Sequence, residues 1–115
     1  MGETEEAQGN RAKGALESVS PDDPKFVESG LERVSDGAHS RPSLEKSKAY
    51  KVSLACVGTG TVKVVIGEKT PQSLPCDGIS VSHDVRNSAE ESPIDVTAAP
   101  GATGMVAWQI IAVSS

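Results

Sequence analysis

No stretch constrains the fold of this chain more than Tyr50 to Gly67, which reads YKVSLACVGTGTVKVVIG. On an extended backbone Tyr50, Val52, Leu54 and Cys56 share one face and Lys51, Ser53 and Ala55 the other, the period of two that marks a half-buried strand. Gly58-Thr59-Gly60 follows with the backbone freedom that a tight reversal requires. Val62, Val64 and Ile66 then resume the apolar phase, so the stretch reads as a β-hairpin with one face that must be covered.

The cover has to come from the rest of 115 residues, one domain's worth of chain, which buries roughly 60 to 70% of its unfolded surface. Aromatic residues make up only 3%, namely Phe26, Tyr50 and Trp108, so the core is expected to be built mainly of Val, Ile, Leu and Ala. Phe26-Val27 and Leu31 to Val34 read as a first strand. Asp36-Gly37 reads as a hairpin turn into Ala38 to Leu44, which Pro42 confines to an edge. Glu45 to Lys48 and Glu68 to Gln72 read as loops, and Leu74 and Cys76 share one phase before an Asp77-Gly78 turn. Ile79, Val81, His83 and Val85 alternate with Ser80, Ser82, Asp84 and Arg86, and Ile94 to Thr97 is a short strand after a polar loop that holds Glu90-Glu91. Ala99-Pro100-Gly101-Ala102 fits a type II turn. The last strand, Met105 to Val113, is apolar on both phases, which predicts a central strand covered on both sides.

Seven to eight short strands with turns between them predict an all-β fold, an antiparallel β-sandwich of jelly-roll-like or Ig-like type, over residues 26–115. Residues 1–25 read as a flexible acidic tail. They are rich in Glu, Ala, Gly, Ser and Pro, and Leu16 and Val19 are too few to offset the entropy of ordering them, beyond a marginal helix around Ala12 to Val19. Residues 1–28 hold seven acids against three bases, so most of the net charge of −5 sits at this end. An acidic tail on a near-neutral body argues against nucleic acid and against attachment to anionic lipid. No apolar run reaches the length of a membrane span.

Cys56 and Cys76 lie on the inward phases of their segments, and an even count in a small β-rich chain points to one disulfide and an oxidising compartment. Two buried free thiols, acting as small hydrophobes, are the alternative. A bridge across 20 positions would stabilise by about 3 kcal/mol.

The segments Leu-Ala-Cys-Val-Gly-Thr-Gly at 54–60, Pro-Cys-Asp-Gly at 75–78 and Ile94 to Trp108 together resemble small secreted proteins and lipoproteins of high-GC Gram-positive bacteria, notably streptomycetes. The likeness covers roughly residues 26–113. It implies an extracytoplasmic domain, secreted or tethered to the outer face of the cytoplasmic membrane, with a signal peptide and a lipid-carrying cysteine upstream of residue 1. It transfers no activity.

Few residues point to chemistry. His83 falls on the apolar phase of its strand, and a neutral imidazole there could bind a ligand or act as a base. Asp84 points away from it, however, and the other histidine is His39, so no set of three or four converging metal ligands is legible. Trp108 is the one tryptophan that could anchor a sugar, although its strand places it in the core. No nucleophile elbow occurs, Gly58-Thr59-Gly60 lacks the Lys-Ser/Thr of a phosphate loop, and the loop acids lack EF-hand spacing. The expectation is a monomeric, non-enzymatic domain without cofactor or metal, serving interaction or display at the cell surface with an unknown protein or glycan partner. The alternative is a module that binds cell-wall polysaccharide.

Overall fold

The computed structural model of the chain describes residues 4–16, 22–41, 49–67, 71–85 and 93–113. Its elements are an α-helix, α1 (Glu5–Ala15), and seven strands, β1 (Phe26–Arg33), β2 (Ala38–Ser40), β3 (Ala49–Ile66), β4 (Gln72–Asp77), β5 (Val81–Val85), β6 (Ile94–Ala98) and β7 (Thr103–Val113). The all-β expectation holds: all seven strands join one antiparallel sheet. The loops expected at Glu45 to Lys48 and Glu90-Glu91, and all but the end of the one at Glu68 to Gln72, lie outside the described residues.

The organising stretch is not a hairpin. Tyr50 to Ile66 belongs to a single 18-residue strand, β3, and its two halves do not pair with each other. On one side β7 runs along residues 49–59 and β6 along 62–66; on the other β5 runs along 50–54 and β4 along 57 and 61–64. Both flanks break level with Gly58–Gly60, one at Ala99–Ala102 and the other at Gly78–Ser80. β1 lies outside β7 and β2 outside β6, joined by one 3-10 turn at Val34–Asp36 with Gly37 at φ 70°. Asp36-Gly37 therefore also bends the chain without making the expected hairpin, since β1 and β2 pair with different strands.

The sheet is thus four chain paths wide, and every path crosses the same line. Tyr50, Val52, Leu54 and Cys56 from the near half and Val62, Val64 and Ile66 from the far half all lie in one core cluster at 5% exposure or less. The helix packs on the opposite face, so each half of the sheet is the other's cover. The sandwich is one sheet folded across its middle.

What permits the fold is the backbone at the line. A methyl group on Gly58 would overlap the carbonyl oxygen of Thr103, and one on Gly104 that of Val57, because the two glycines are paired where the β3–β7 ladder reaches the fold line. Their φ values of 149° and 125° are also open mainly to glycine. At the neighbouring break the expected turn is present: the Ala102 N–H donates to the Ala99 carbonyl at 3.0 Å, and Gly101 has φ 83°.

Within residues 1–25, the described residues 4–16 form a capped helix. Thr4 caps α1 by accepting from the Ala7 N–H at 3.1 Å, Glu5 and Glu6 stand at its positive end, and Lys13 at its negative end. Gly9, Ala12 and Leu16 line one side at helical spacing and are buried against Ala55, Val57, Ala107 and Leu31. Because this face is made of glycine and alanine, it has almost no apolar periodicity, and the helix is invisible to a hydropathy reading. Ile79, expected to open the β5 alternation, lies outside the strand and is 65% exposed.

Two outcomes follow from this packing. Gly58→Ala and Gly104→Ala should each destabilise the protein by at least about 3 kcal/mol in urea unfolding, through overlap added to backbone strain. Gly67→Ala, at φ 60° with no atom within 4 Å, should lose only about 1 kcal/mol. In a second experiment Ala12→Glu should undock α1 while the far-ultraviolet strand signal persists, seen as faster amide exchange at Val57 and Ala107.

Candidate functional site

The inward face of β5 carries the first sequence candidate. Val81, His83 and Val85 stand opposite Leu54, Val52 and Tyr50, so His83 is half-buried on the core side of an edge strand. Asp84 lies on the other face, opposite Lys51, and Ser82 shares that face with Ser53, their hydroxyls 3.1 Å apart. His83 and Asp84 are therefore not brought together by the strand. Buried Gln109 stands opposite Ser53 on the β7 side, which gives the outward face beside α1 a small polar patch.

Trp108, the second candidate, is 8% exposed and belongs to the core. Its six-membered ring lies against Gly30 of β1, its cross-strand partner, where any side chain would collide with it. The glycine leaves the space the indole fills. Its Nε1 is buried without a hydrogen-bond partner among the described residues, and no aromatic face is offered to a sugar.

Cys56 and Cys76 form a disulfide with their Cα atoms 4.3 Å apart. The bond joins β3 to β4 beside the fold line, where the Gly78 N–H also donates to the Cys56 carbonyl at 2.9 Å. Between Val57↔Asp77 and Thr61↔Pro75 the register slips, so the disulfide holds β4 where ladder hydrogen bonds are interrupted.

A group that sequence reasoning did not assemble lies on the outward face of β2 and β6. Register places His39 directly opposite Asp95. The His39 Nδ1–H donates to the Asp95 Oδ1 at 2.8 Å, since an ionised carboxylate can only accept, and the Arg41 guanidinium donates to the same oxygen at 3.2 Å. The hydrogen bond from His39 is the main reason that the Asp95 carboxyl sits below its ordinary range. Burial works against it, and the hydrogen bond and charge of Arg41 add to it. Ser40, alternating to the inner face, donates to Glu28 of β1 at 2.5 Å and ties the two parts of the outer path together. His39 and Asp95 are 56 positions apart, and only the strand register reveals them as a pair.

Among the described residues no three His, Cys, Asp or Glu side chains are placed to hold a metal, and no helix is long and apolar enough to cross a membrane. No family model matches the sequence, and no curated protein matches it. Among solved structures the chain is similar to a protein of Bacillus endospore appendages, described as disulfide-linked pili. The identity is 17%, covering 85% of this chain and 97% of that chain, with a TM-score of 0.45. A likeness at that level carries no argument about function.

The Asp95 cluster sets a pH dependence. A carboxyl with a depressed folded-state pKa contributes stability above its unfolded value of about 3.9, and that stability is lost as the pH falls through the folded-state value. Asp95→Asn should therefore lower the unfolding midpoint slightly at neutral pH and lose less than the parent on acidification below about pH 4. Equal acid sensitivity in both proteins would exclude Asp95 as a contributor.

Proposed function

We propose that the chain is a non-enzymatic domain that works outside the cytoplasm, in interaction or display at the cell surface. The observation that carries this reading is the Cys56–Cys76 bond, nearly buried, which joins the central strand to an edge strand beside the fold line. A structural disulfide of this kind persists in oxidising compartments and is rare in reducing ones. The motif resemblance to small secreted proteins and lipoproteins points to the same location, and in that setting a signal peptide and a lipid-bearing cysteine would precede residue 1. Residues 1–25 then lead from the attachment point to the sheet. With α1 docked, the span between surface and domain is shorter than a 25-residue random coil would give.

His83 sits on an edge strand without Asp84 on its face, which supports a structural role for it over a catalytic one. The glycan-binding alternative through Trp108 is not favoured, because the indole is covered.

Thiol trapping tests the compartment. Protein taken directly from its native cells should react with maleimide only after reduction, and free thiols in freshly trapped protein would overturn the extracytoplasmic reading. In the purified protein, reduction or the paired change Cys56→Ala and Cys76→Ala should destabilise the domain by about 3 kcal/mol, as closure of a 20-position loop requires.

A further inference from the structure

The outward face of the far half holds a shallow cavity of about 210 Å³ that neither His83 nor Trp108 touches. Lys63 of β3 stands opposite Ser73 of β4 on one side and Thr97 of β6 on the other, so three strands deliver an ammonium and two hydroxyls in one row. Thr61 adds a third hydroxyl two residues along the same face. Ala98 and Pro100 line the rest, small or flat apolar groups that leave the depression open. None of the four polar side chains has a hydrogen-bond or ion-pair partner among the described residues. Four polar groups without a partner among the described residues line one concave spot.

The framework around them is fixed. The Ala99 N–H donates to the Thr61 carbonyl at 3.1 Å, the Ala99–Ala102 turn is closed by its own hydrogen bond, and the disulfide anchors β4 one residue beyond Pro75. These bonds fix the backbone that carries the four groups, so only side-chain freedom is lost when a ligand arrives.

The chemistry of the lining selects the ligand class. A lysine ammonium is a compact point charge that prefers an oxyanion, and hydroxyls both donate and accept, as sugar hydroxyls do. The net charge of −5 repels an anion at a distance, but beyond about 8 to 10 Å that repulsion is screened at physiological salt. With no aromatic platform in the lining, a neutral sugar would have little to stack on, so charge must supply much of the recognition. The volume corresponds to about seven waters, room for a single six-membered ring.

We propose that this cavity binds one uronic acid residue, with its carboxylate on Lys63, its hydroxyls on Thr61, Ser73 and Thr97, and its C–H face against Pro100. The site stands independently of where the domain is displayed.

Titration of the isotopically labelled full chain with glucuronate, glucose and acetate, followed by amide chemical shifts, tests it. Glucuronate should shift the amides of Thr61 to Lys63, Ser73 and Thr97 to Ala99 with millimolar affinity, and glucose should leave them in place. Lys63→Gln should weaken glucuronate binding at least tenfold, and Lys63→Arg should restore most of it. Lys63 is exposed, so both variants should keep the parent spectrum elsewhere. Absent shifts at these residues, equal binding by Lys63→Gln, or equal binding of glucose would overturn the proposal. If acetate bound as tightly as glucuronate, the pyranose part of the assignment would fall.

Discussion

Everything in this fold depends on two paired backbones lying closer than side chains would allow. Gly58 of β3 and Gly104 of β7 are paired at the fold line, and their missing Cβ atoms let the two longest strands lie close together there while keeping their register. On the near side of that pair β3 runs along β7, and on the far side along β6. The even-numbered apolar residues of both halves consequently face inward onto one another, and a chain with only three aromatic residues obtains a closed core from Val, Ile, Leu and Ala. Size at the core is traded for completeness of cover. Trp108 and Gly30 repeat the device on a smaller scale, with one residue's missing side chain making room for the largest one in the chain.

The helix obeys the same logic from outside. An 11-residue segment with two glycines is a weak helix in isolation, and it persists because Gly9 and Ala12 let it lie close on Ala55 and Ala107. The outward face of the near half is thereby covered just where β3 and β7 carry small residues. Beyond the helix that face turns polar at Ser53, Ser82 and Gln109. β7 is buried on both phases from Val106 to Ile110, while Met105, Ile111 and Val113 on its outward phase stay partly exposed.

Most strand content and inward phases were readable from alternation alone, whereas the disulfide rested on an even cysteine count, with two free thiols left open until the structure joined them. What alternation could not decide was whether a glycine-rich break reverses the chain or bends it. A three-residue turn at Gly58–Gly60 would place Val57 opposite Thr61 and leave Cys56 and Val62 on one face, and so does a continuous strand. The same ambiguity holds at Asp36-Gly37. At Asp36-Gly37 the chain does bend and at Gly58–Gly60 it runs on as one strand, and in both cases the expected partner strand was wrong, because partner choice is settled by long-range packing. The helix escaped for a different reason, since its buried face is small and not greasy. The His39–Asp95–Arg41 group and the Lys63 cavity depend on cross-strand register, which no local spacing encodes.

The placement of the disulfide also decides how the domain would bear load. A pull applied to the two ends of the chain is carried past the bridge from Cys56 to Cys76, and the 20 positions between them are shielded from the force. That segment holds the far half of β3 and most of β4, on the order of 70 Å of extended chain that tension cannot draw out while the bond is intact. A domain built this way has a covalent limit to its extensibility at the line where its sheet is folded.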